Sequence, residues 1–227
     1  NKIKKVIAVT ILSHFGLAAF SQGFINLDFE SANIIPVLGS PIYPYEIAIS
    51  DALPGWAVNG TTQGDMTYND PSLGATSVNL WASNGSQISG NYSVLLTGGL
   101  SPFPATISQT GLVPAGSESL TFEAQAGSSS LVVSLGGQDL SYFAIGSGPN
   151  YTLYGADVSA FAGQSEQLIF SALNVSSGLN NWNLDNIQFS ALPVPEPSSF
   201  GLFALGGLFV ALLHWKYSSP KVSPGEQ

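Results

Sequence analysis

Positive charge is scarce in this chain, and cysteine is missing altogether. Of the 227 residues, only five are lysine or arginine and two are histidine. All seven lie near the ends, at Lys2, Lys4, Lys5, His14, His214, Lys216 and Lys221. Residues 22–196 therefore contain no Lys, Arg, His or Cys, although they hold every acidic residue except Glu226. No disulfide can form, and no ion pair between side chains can form within this central part.

These absences exclude several classes of function for residues 22–196. Nucleic-acid binding requires cationic side chains that neutralise phosphates. Ser-His-Asp and Cys-His catalysis require a histidine base, and the common zinc sites require His or Cys. Schiff-base chemistry requires a lysine. The remaining chemistry uses carboxylates, hydroxyls, amides and aromatic rings, which suits hard-cation binding, carbohydrate binding or a two-carboxylate glycosidase.

The N-terminal end has the pattern of a secretory signal peptide. Three lysines precede an almost wholly apolar run from Val6 to Phe20, and Ala19 and Ser21 place small residues before a cleavage site. This order of basic, apolar and small residues is typical of an export signal. We therefore predict a signal peptide at residues 1–21, followed by a folded domain outside the cytoplasm.

The C-terminal end has three parts in a fixed order. A proline-rich linker at residues 192–199 contains the motif Val194, Pro195, Glu196, Pro197. An apolar segment at residues 200–217 follows, and then a short polar tail at 218–227. About 18 residues of helix measure roughly 27 Å, which barely spans a bilayer. We predict a transmembrane helix with a cytoplasmic tail, because flanking lysines favour the cytoplasmic side; a buried soluble helix is the alternative.

This tail resembles the PEP-CTERM sorting signal of bacterial envelope proteins, although two lysines and a histidine replace the usual arginine cluster. The resemblance implies that an exosortase-type processing enzyme is a partner of the chain. It also implies that the inner membrane holds the protein by its C-terminal helix, with the domain outside. After processing near Glu196, the protein would belong to the cell surface or the extracellular matrix.

Residues 22–191 read as a single all-β domain. Leu120, Phe122 and Ala124 alternate with polar residues, as expected of strands that bury one face. Short runs of this kind recur between Gly, Pro and Asn turns, which favours a β-sandwich. The predicted strands are 24–30, 56–58, 77–82, 92–97, 105–110, 119–125, 131–135, 140–145, 151–154, 166–172 and 182–190. Residues 31–55 are irregular and predict a long loop.

Three segments carry a second resemblance. They are Leu27 to Glu30 with Pro54-Gly55-Trp56 after it, Ala156 to Gln164, and Trp182 to Ile187. In order and spacing they resemble the galactose-binding-like domain of many carbohydrate-binding modules. The resemblance implies an antiparallel jelly-roll β-sandwich over about residues 24–190.

The same resemblance implies a structural calcium ion at one end of the sandwich. Its carboxylate ligands would be Asp28 or Glu30 from the first strand and Asp185 from the last. Calcium accepts six to eight oxygen ligands, and an acidic domain benefits from a bound cation. The alternative is that Asp185 caps a turn with Asn186 while Glu30 is solvated.

Aromatic side chains offer a stacking surface for sugar rings. Tyr43, Tyr45 and Tyr68 lie in loop-like sequence and are the predicted ligand-binding residues. Trp56 and Trp182 are instead expected to pack in the core.

These observations predict a structural or weakly carbohydrate-binding protein of the cell surface or exopolysaccharide matrix. The surface glycan is its expected partner. The alternative is a carboxylate-dependent glycoside hydrolase, although no acidic residue lies in a motif specific to such chemistry. A purely passive matrix protein is a third reading.

Overall fold

The computed structural model describes residues 22–59, 65–69, 76–82, 87–99, 103–125, 127 and 129–194. The regular secondary structure of its described part is almost wholly β-strand, and the strands are arranged in two sheets. The all-β prediction is confirmed, and the two sheets are consistent with the predicted β-sandwich. The predicted signal peptide, transmembrane helix and cytoplasmic tail lie outside the described residues, as do Pro195, Glu196 and Pro197 of the motif.

The larger sheet has eight strands in the order β1-β3-β4-β5-β13-β7-β11-β10. All neighbours pair antiparallel except β3 and β4, which run parallel. The strands are β1 (Glu46–Ala48), β3 (Asp65–Tyr68), β4 (Ser77–Trp81), β5 (Ser93–Gly98), β7 (Ser119–Gln125), β10 (Tyr142–Ser147), β11 (Thr152–Asp157) and β13 (Asn180–Ser190).

The smaller sheet has five antiparallel strands in the order β2-β6-β12-β8-β9. They are β2 (Ala57–Asn59), β6 (Ala105–Leu112), β12 (Ser165–Ala172), β8 (Leu131–Leu135) and β9 (Gln138–Asp139). Two short helical segments complete the described elements, α1 (Ile49–Ala52) and a 3₁₀ turn (Ser159–Phe161).

A single hydrophobic core lies between the sheets because apolar residues alternate along the strands that face it. Leu120, Phe122 and Ala124 of β7 are fully buried, as the sequence pattern predicts. The ring of Phe122 packs edge-on against Phe170 of β12 in the opposite sheet, with centroids 5.3 Å apart. Contacts of this kind join the two sheets into one folding unit.

The predicted first strand, residues 24–30, is wrong. This segment makes a series of turns, with Asn26 and Phe29 at positive φ of 51° and 58°. Phe29 is fully buried against Trp56, and the indole N–H of Trp56 donates to the Asn26 carbonyl at 2.9 Å. Tertiary packing of Phe29 therefore outweighs the strand preference of the alternating sequence.

The predicted loop at residues 31–55 also contains regular structure. Strand β1 and helix α1 lie inside it, and the peptide bond between Tyr43 and Pro44 is cis. Strand β1 takes an edge position by pairing with β3, which the sequence pattern did not reveal. Four prolines in this stretch hid the short strand, since proline within a run argues against strand structure.

The outer face of the larger sheet is polar but is also buried along its centre. Ser93 of β5, Asp185 of β13 and Glu123 of β7 are 0%, 1% and 7% exposed. Their neighbours along each strand, such as Val94 and Leu184, face the core. Loop 87–92, which directly precedes β5, lies against this face and helps to cover it.

Candidate functional site

Residues 36–47 form a loop whose two ends pair with each other. Pro36 forms an antiparallel bridge with Ile47, and the Val37 N–H donates to the Glu46 carbonyl at 2.8 Å. The Ser40 hydroxyl donates to the carboxylate of Glu46, a residue that is itself buried. These bonds give the proline-rich loop a defined conformation.

This loop presents large apolar side chains to solvent. Ile35, directly before the loop, is 53% exposed and Leu38 is 86% exposed, and Tyr43 and Tyr45 are 54% and 46% exposed. We call these four residues the aromatic loop patch. Singly exposed apolar residues are ordinary, but several in one ordered loop are typical of a binding surface. The predicted ligand residues Tyr43 and Tyr45 therefore lie at an accessible position.

The third predicted ligand residue, Tyr68, has a different environment. It is partly buried and packs against the core, although its N–H donates to the Tyr45 carbonyl at 2.6 Å. Trp56 and Trp182 are 5% and 6% exposed and belong to the core, as predicted. The indole N–H of Trp182 donates to the Ser129 carbonyl at 2.9 Å.

The structure separates the three acids predicted to bind calcium. Asp28 is exposed and accepts a long hydrogen bond from the Glu30 N–H at 3.3 Å, whereas Asp185 is buried in β13. Among the described residues, no three or more acidic, histidine or cysteine side chains form a group that could hold a metal. Asp28, Glu30 and Asp185 are therefore not brought together, and calcium binding itself stays a prediction.

Glu30 and Asp185 instead hold the same loop from two sides. The Glu30 carboxylate accepts hydrogen bonds from the Asn91 N–H at 2.7 Å and from the Tyr92 N–H at 3.1 Å. The Asp185 carboxylate accepts from the N–H and hydroxyl of Ser89, at 3.0 and 3.1 Å. Both acids thus act as acceptors for backbone donors of loop 87–92.

A β-bulge follows Asp185 and fixes its surroundings. The pairing of β13 with β7 shifts between Asp185 and Gln188, and Asn186 has a positive φ of 49°. The Asn186 N–H donates to Asp185 Oδ1 at 2.7 Å, and its side-chain amide donates to Glu123 Oε1 at 3.1 Å. Bulges often redirect side chains next to functional sites.

The bulge leaves two buried carboxylates directly opposite one another. Asp185 and Glu123 are cross-strand partners on β13 and β7. Burial raises the pKa of Asp185 to about 7, although hydrogen bonds from Ser89 and Asn186 oppose this shift. The charge of Glu123 also raises the pKa of the nearby Tyr151 hydroxyl. Desolvation disfavours a carboxylate anion, and a second carboxylate beside it adds repulsion.

Sequence reasoning missed Glu123 and Ser93 as members of this site. Glu123 was expected on a solvated polar face, because alternation distinguishes the two faces of a strand without showing what covers the outer one. No role was predicted for Ser93. The sequence did contain one relevant signal. Residues 22–196 hold no basic residue, so an acid that is buried there has no cationic side chain to pair with.

A shallow cleft adjoins the bulge on the side of the N-terminal segment. It has a volume of about 320 Å³ and is lined by Phe24, Asn26, Leu27, Asp28, Asn186, Ile187 and Gln188. Its polar side chains are amides and one carboxylate, which are groups that can bind sugar hydroxyls. The exposed Asp28 therefore lies in this cleft, whereas Asp185 is buried and does not line it.

The described residues contain no helix of the length and apolarity needed to cross a bilayer. No curated protein matches the chain. A family model of the PEP-CTERM protein-sorting motif matches residues 193–215. This match includes the predicted motif from Val194 to Pro197 and the apolar segment after it. The chain is therefore a surface protein with a sorting tail, whose motif implies export and processing by an exosortase.

Proposed function

We propose that this chain is an exported component of the cell surface or exopolysaccharide matrix that binds surface glycans weakly through the aromatic loop patch. The observation that carries the glycan part is the exposure of Tyr43 and Tyr45 on a loop held by Glu46. Rigid, exposed aromatic rings provide contact area at a low entropic cost. Several copies on one surface would add avidity to a weak single contact.

The composition of the domain supports a neutral ligand of this kind. Residues 22–196 have no cationic side chain, so anionic polymers are disfavoured partners. Hydroxyl-rich neutral glycans need only aromatic faces, amides and carboxylates, all of which the exposed surface offers. The sandwich would then resemble a galactose-binding-like jelly roll, and a calcium ion would stabilise it.

Binding of the full-length chain, kept in solution with a mild detergent, to exopolysaccharide from the source cells tests the glycan part. Replacing both Tyr43 and Tyr45 with alanine should weaken binding about tenfold or more, since each buried aromatic contributes on the order of 1–2 kcal/mol. Phe103→Ala is the matched control, because Phe103 is 68% exposed but lies on another loop. Equal binding by the double variant and the wild type would refute this ligand surface.

The cleft near the bulge provides a direct competitor to the aromatic loop patch. Asp28→Asn removes a carboxylate from the cleft without touching Tyr43 or Tyr45. Loss of glycan binding in this variant, with normal binding in the tyrosine double variant, would move the site to the cleft. Loss only in the tyrosine variant supports the patch.

A carboxylate-dependent glycosidase is the second candidate, and the pair Asp185 and Glu123 is the observation in its favour. One raised pKa beside a second carboxylate suits a general acid with a nucleophile or base. Both side chains are at least nine-tenths buried, however, so a polysaccharide would reach them only after loop 87–92 opens. Release of reducing sugar that is lost in Glu123→Gln would favour this candidate over simple binding.

The sorting part has its own test. Mass spectrometry of the mature protein from cells should find a C-terminus near Glu196, because the matched motif begins at residue 193. A chain that keeps residues 200–227 would instead be an ordinary membrane-anchored protein. Glycan binding and processing are measured separately, so either part can fail alone.

A further inference from the structure

Ser93, Asp185 and Glu123 form a buried polar row on the outer face of the larger sheet. Val94 pairs with Leu184, and Asp185 pairs with Glu123, so the three residues lie side by side on β5, β13 and β7. All three are at least nine-tenths buried. The polar atoms of this row lose their hydrogen bonds to water on folding and need other hydrogen-bond partners.

The hydrogen bonds of the described residues do not supply all of these partners. Within that part of the chain, Ser93 Oγ, Glu123 Oε2 and Gln87 Oε1 are buried and lack a hydrogen bond of good geometry, although the Tyr151 hydroxyl interacts with the Glu123 carboxylate. All three are oxygen atoms that can act as ligands. Trp81 pairs with Ser93, and its buried indole N–H likewise lacks an acceptor among the described residues. This N–H can donate to a water molecule bound beside the row.

The charges of the row are equally uncompensated. Asp185 and Glu123 are carboxylates directly opposite each other, an arrangement that destabilises a sheet when both are ionised. No lysine, arginine or histidine exists in residues 22–196 to neutralise them. The compensating charge must therefore be a proton or a metal cation.

The donor set favours a hard cation over a proton alone. A proton on Asp185 would satisfy one carboxylate, but it would leave Ser93 Oγ and Gln87 Oε1 without a partner. Calcium accepts mixed carboxylate, hydroxyl and amide oxygens in a flexible geometry. Magnesium requires a near-ideal octahedron and keeps most of its water, so it suits an irregular, water-poor site less well.

We propose that Asp185 and Glu123 bind a calcium ion beneath loop 87–92, with Ser93 Oγ and Gln87 Oε1 as neutral ligands. The ion joins three strands of the sheet to the loop that covers them. Asp28 and Glu30 take no part, since Asp28 is exposed and Glu30 binds the backbone N–H groups of Asn91 and Tyr92.

The experiment measures thermal unfolding of the full-length chain in detergent, with calcium chloride added at pH 8.0. A dissociation constant on the order of 0.5 mM, within the range of extracellular calcium sites, predicts that about 5 mM calcium raises Tm by roughly 3–6 °C at pH 8.0. The increase should reverse with a chelator. Magnesium at the same concentration should raise Tm much less.

Glu123→Gln is the decisive variant, because it removes one charge and keeps the shape of the side chain. It should lose the calcium-dependent increase in Tm, and Asp185→Asn should lose it as well. Glu166→Gln, in β12 of the other sheet, is the matched control and should keep the full increase. Glu30→Gln should also keep it.

Several outcomes would overturn the proposal. One is no increase in Tm for the wild type at pH 8.0, and another is an equal increase with magnesium. A third is a calcium-dependent increase in Tm that persists in Glu123→Gln. A fourth is an increase that disappears in Glu30→Gln but persists in Glu123→Gln. Should Asp185→Asn not fold, the comparison of Glu123→Gln with Glu166→Gln still decides the matter.

Discussion

The two faces of the eight-stranded sheet are both buried at its centre, but they are stabilised in different ways. Phe122, Val94 and Leu184 on the inner face are apolar and pack against the other sheet. Ser93, Glu123 and Asp185 on the outer face are polar and lie beneath a loop. The inner face gains free energy by leaving water under all conditions, whereas the outer face gains it only when its charges are compensated. Equal burial therefore does not mean equal sensitivity to the surroundings.

The largest effect is expected from a cavity on the inner face. Phe122→Ala removes a fully buried ring that contacts Tyr142, Tyr154 and Phe170. The free energy of unfolding should fall by about 3–5 kcal/mol, as is usual for such truncations. Urea unfolding at pH 5 and at pH 8 measures this loss, which should be the same at both values because no charge is involved.

Phe103→Ala removes an aromatic ring that is 68% exposed and serves as the control. It should change the free energy of unfolding by less than about 0.5 kcal/mol. A loss for Phe122→Ala that varied strongly with pH would break the distinction between the two faces.

The next effect belongs to the outer face and depends on pH. With calcium chelated, the raised pKa of Asp185 means that the folded chain holds a proton between about pH 4 and 7 that the unfolded chain has released. The stabilisation is complete below the ordinary aspartate pKa and is lost as the pH rises through about 7. Each pKa unit corresponds to about 1.4 kcal/mol, so the loss between pH 4 and 8 should be roughly 2–4 kcal/mol.

Asp185→Asn removes this titration while keeping a side chain of the same shape. Relative to the wild type, the variant should become more stable as the pH rises from 4.5 to 8, as measured by urea unfolding in the presence of a chelator. Parallel pH profiles for the two proteins would show that Asp185 does not titrate in this window.

A smaller effect is expected from the loop that covers the outer face. Gly90 has a positive φ of 56°, and an added methyl group would collide with the Glu30 carboxylate. Gly90→Ala should therefore lower the free energy of unfolding by about 1–2 kcal/mol and weaken the hold of Glu30 on Asn91. Hydrogen exchange at the amides of Asn91 and Tyr92 measures the second effect.

Gly39→Ala separates strain from collision, since Gly39 has a positive φ of 84° but open space around its Cα. It should lower the free energy of unfolding by about 1 kcal/mol without changing exchange at Asn91. Equal exchange rates in both variants would show that Glu30 does not hold the loop.

The smallest effect concerns an exposed acid on the same outer face. The pKa of Asp157 is lowered by a hydrogen bond from the Ser159 N–H, which donates to Oδ1 at 2.8 Å. Its stabilisation is thus present above the ordinary aspartate pKa and is lost as the pH falls, the opposite sign to that of Asp185. Asp157→Asn should lower the free energy of unfolding by no more than about 0.5 kcal/mol at pH 7, measured by urea unfolding. An increase in stability would contradict this assignment.

The sequence predicted those parts of the fold that depend on local pattern. Alternation placed β7 and β8 correctly and identified Trp56 and Trp182 as core residues. It failed at residues 24–30, because the left-handed conformations of Asn26 and Phe29 are imposed by packing from outside the segment. It also gave no indication of the edge strand β1 within a proline-rich stretch.

The two candidate sites were, like the fold, predicted only in part. Exposure of Tyr43 and Tyr45 follows from loop-like sequence, so it could be anticipated. The pairing of Asp185 with Glu123 could not, because these residues are far apart in the chain and strand register is a tertiary property. Asp185 was singled out from the sequence, but its cross-strand neighbour Glu123 was not.

The short edge strands of both sheets matter for a protein that is packed densely on a surface. An unpaired edge strand can pair with a strand of a neighbouring molecule, and many proteins prevent this by placing lysines on the edge. This domain has no lysine to use. Its edge strands are instead short, with three residues each in β1 and β2 and two in β9. The longer edge strand β10 is interrupted by an irregularity between Ala144 and Gly146. Strand brevity thus replaces charge as the protection against polymerisation.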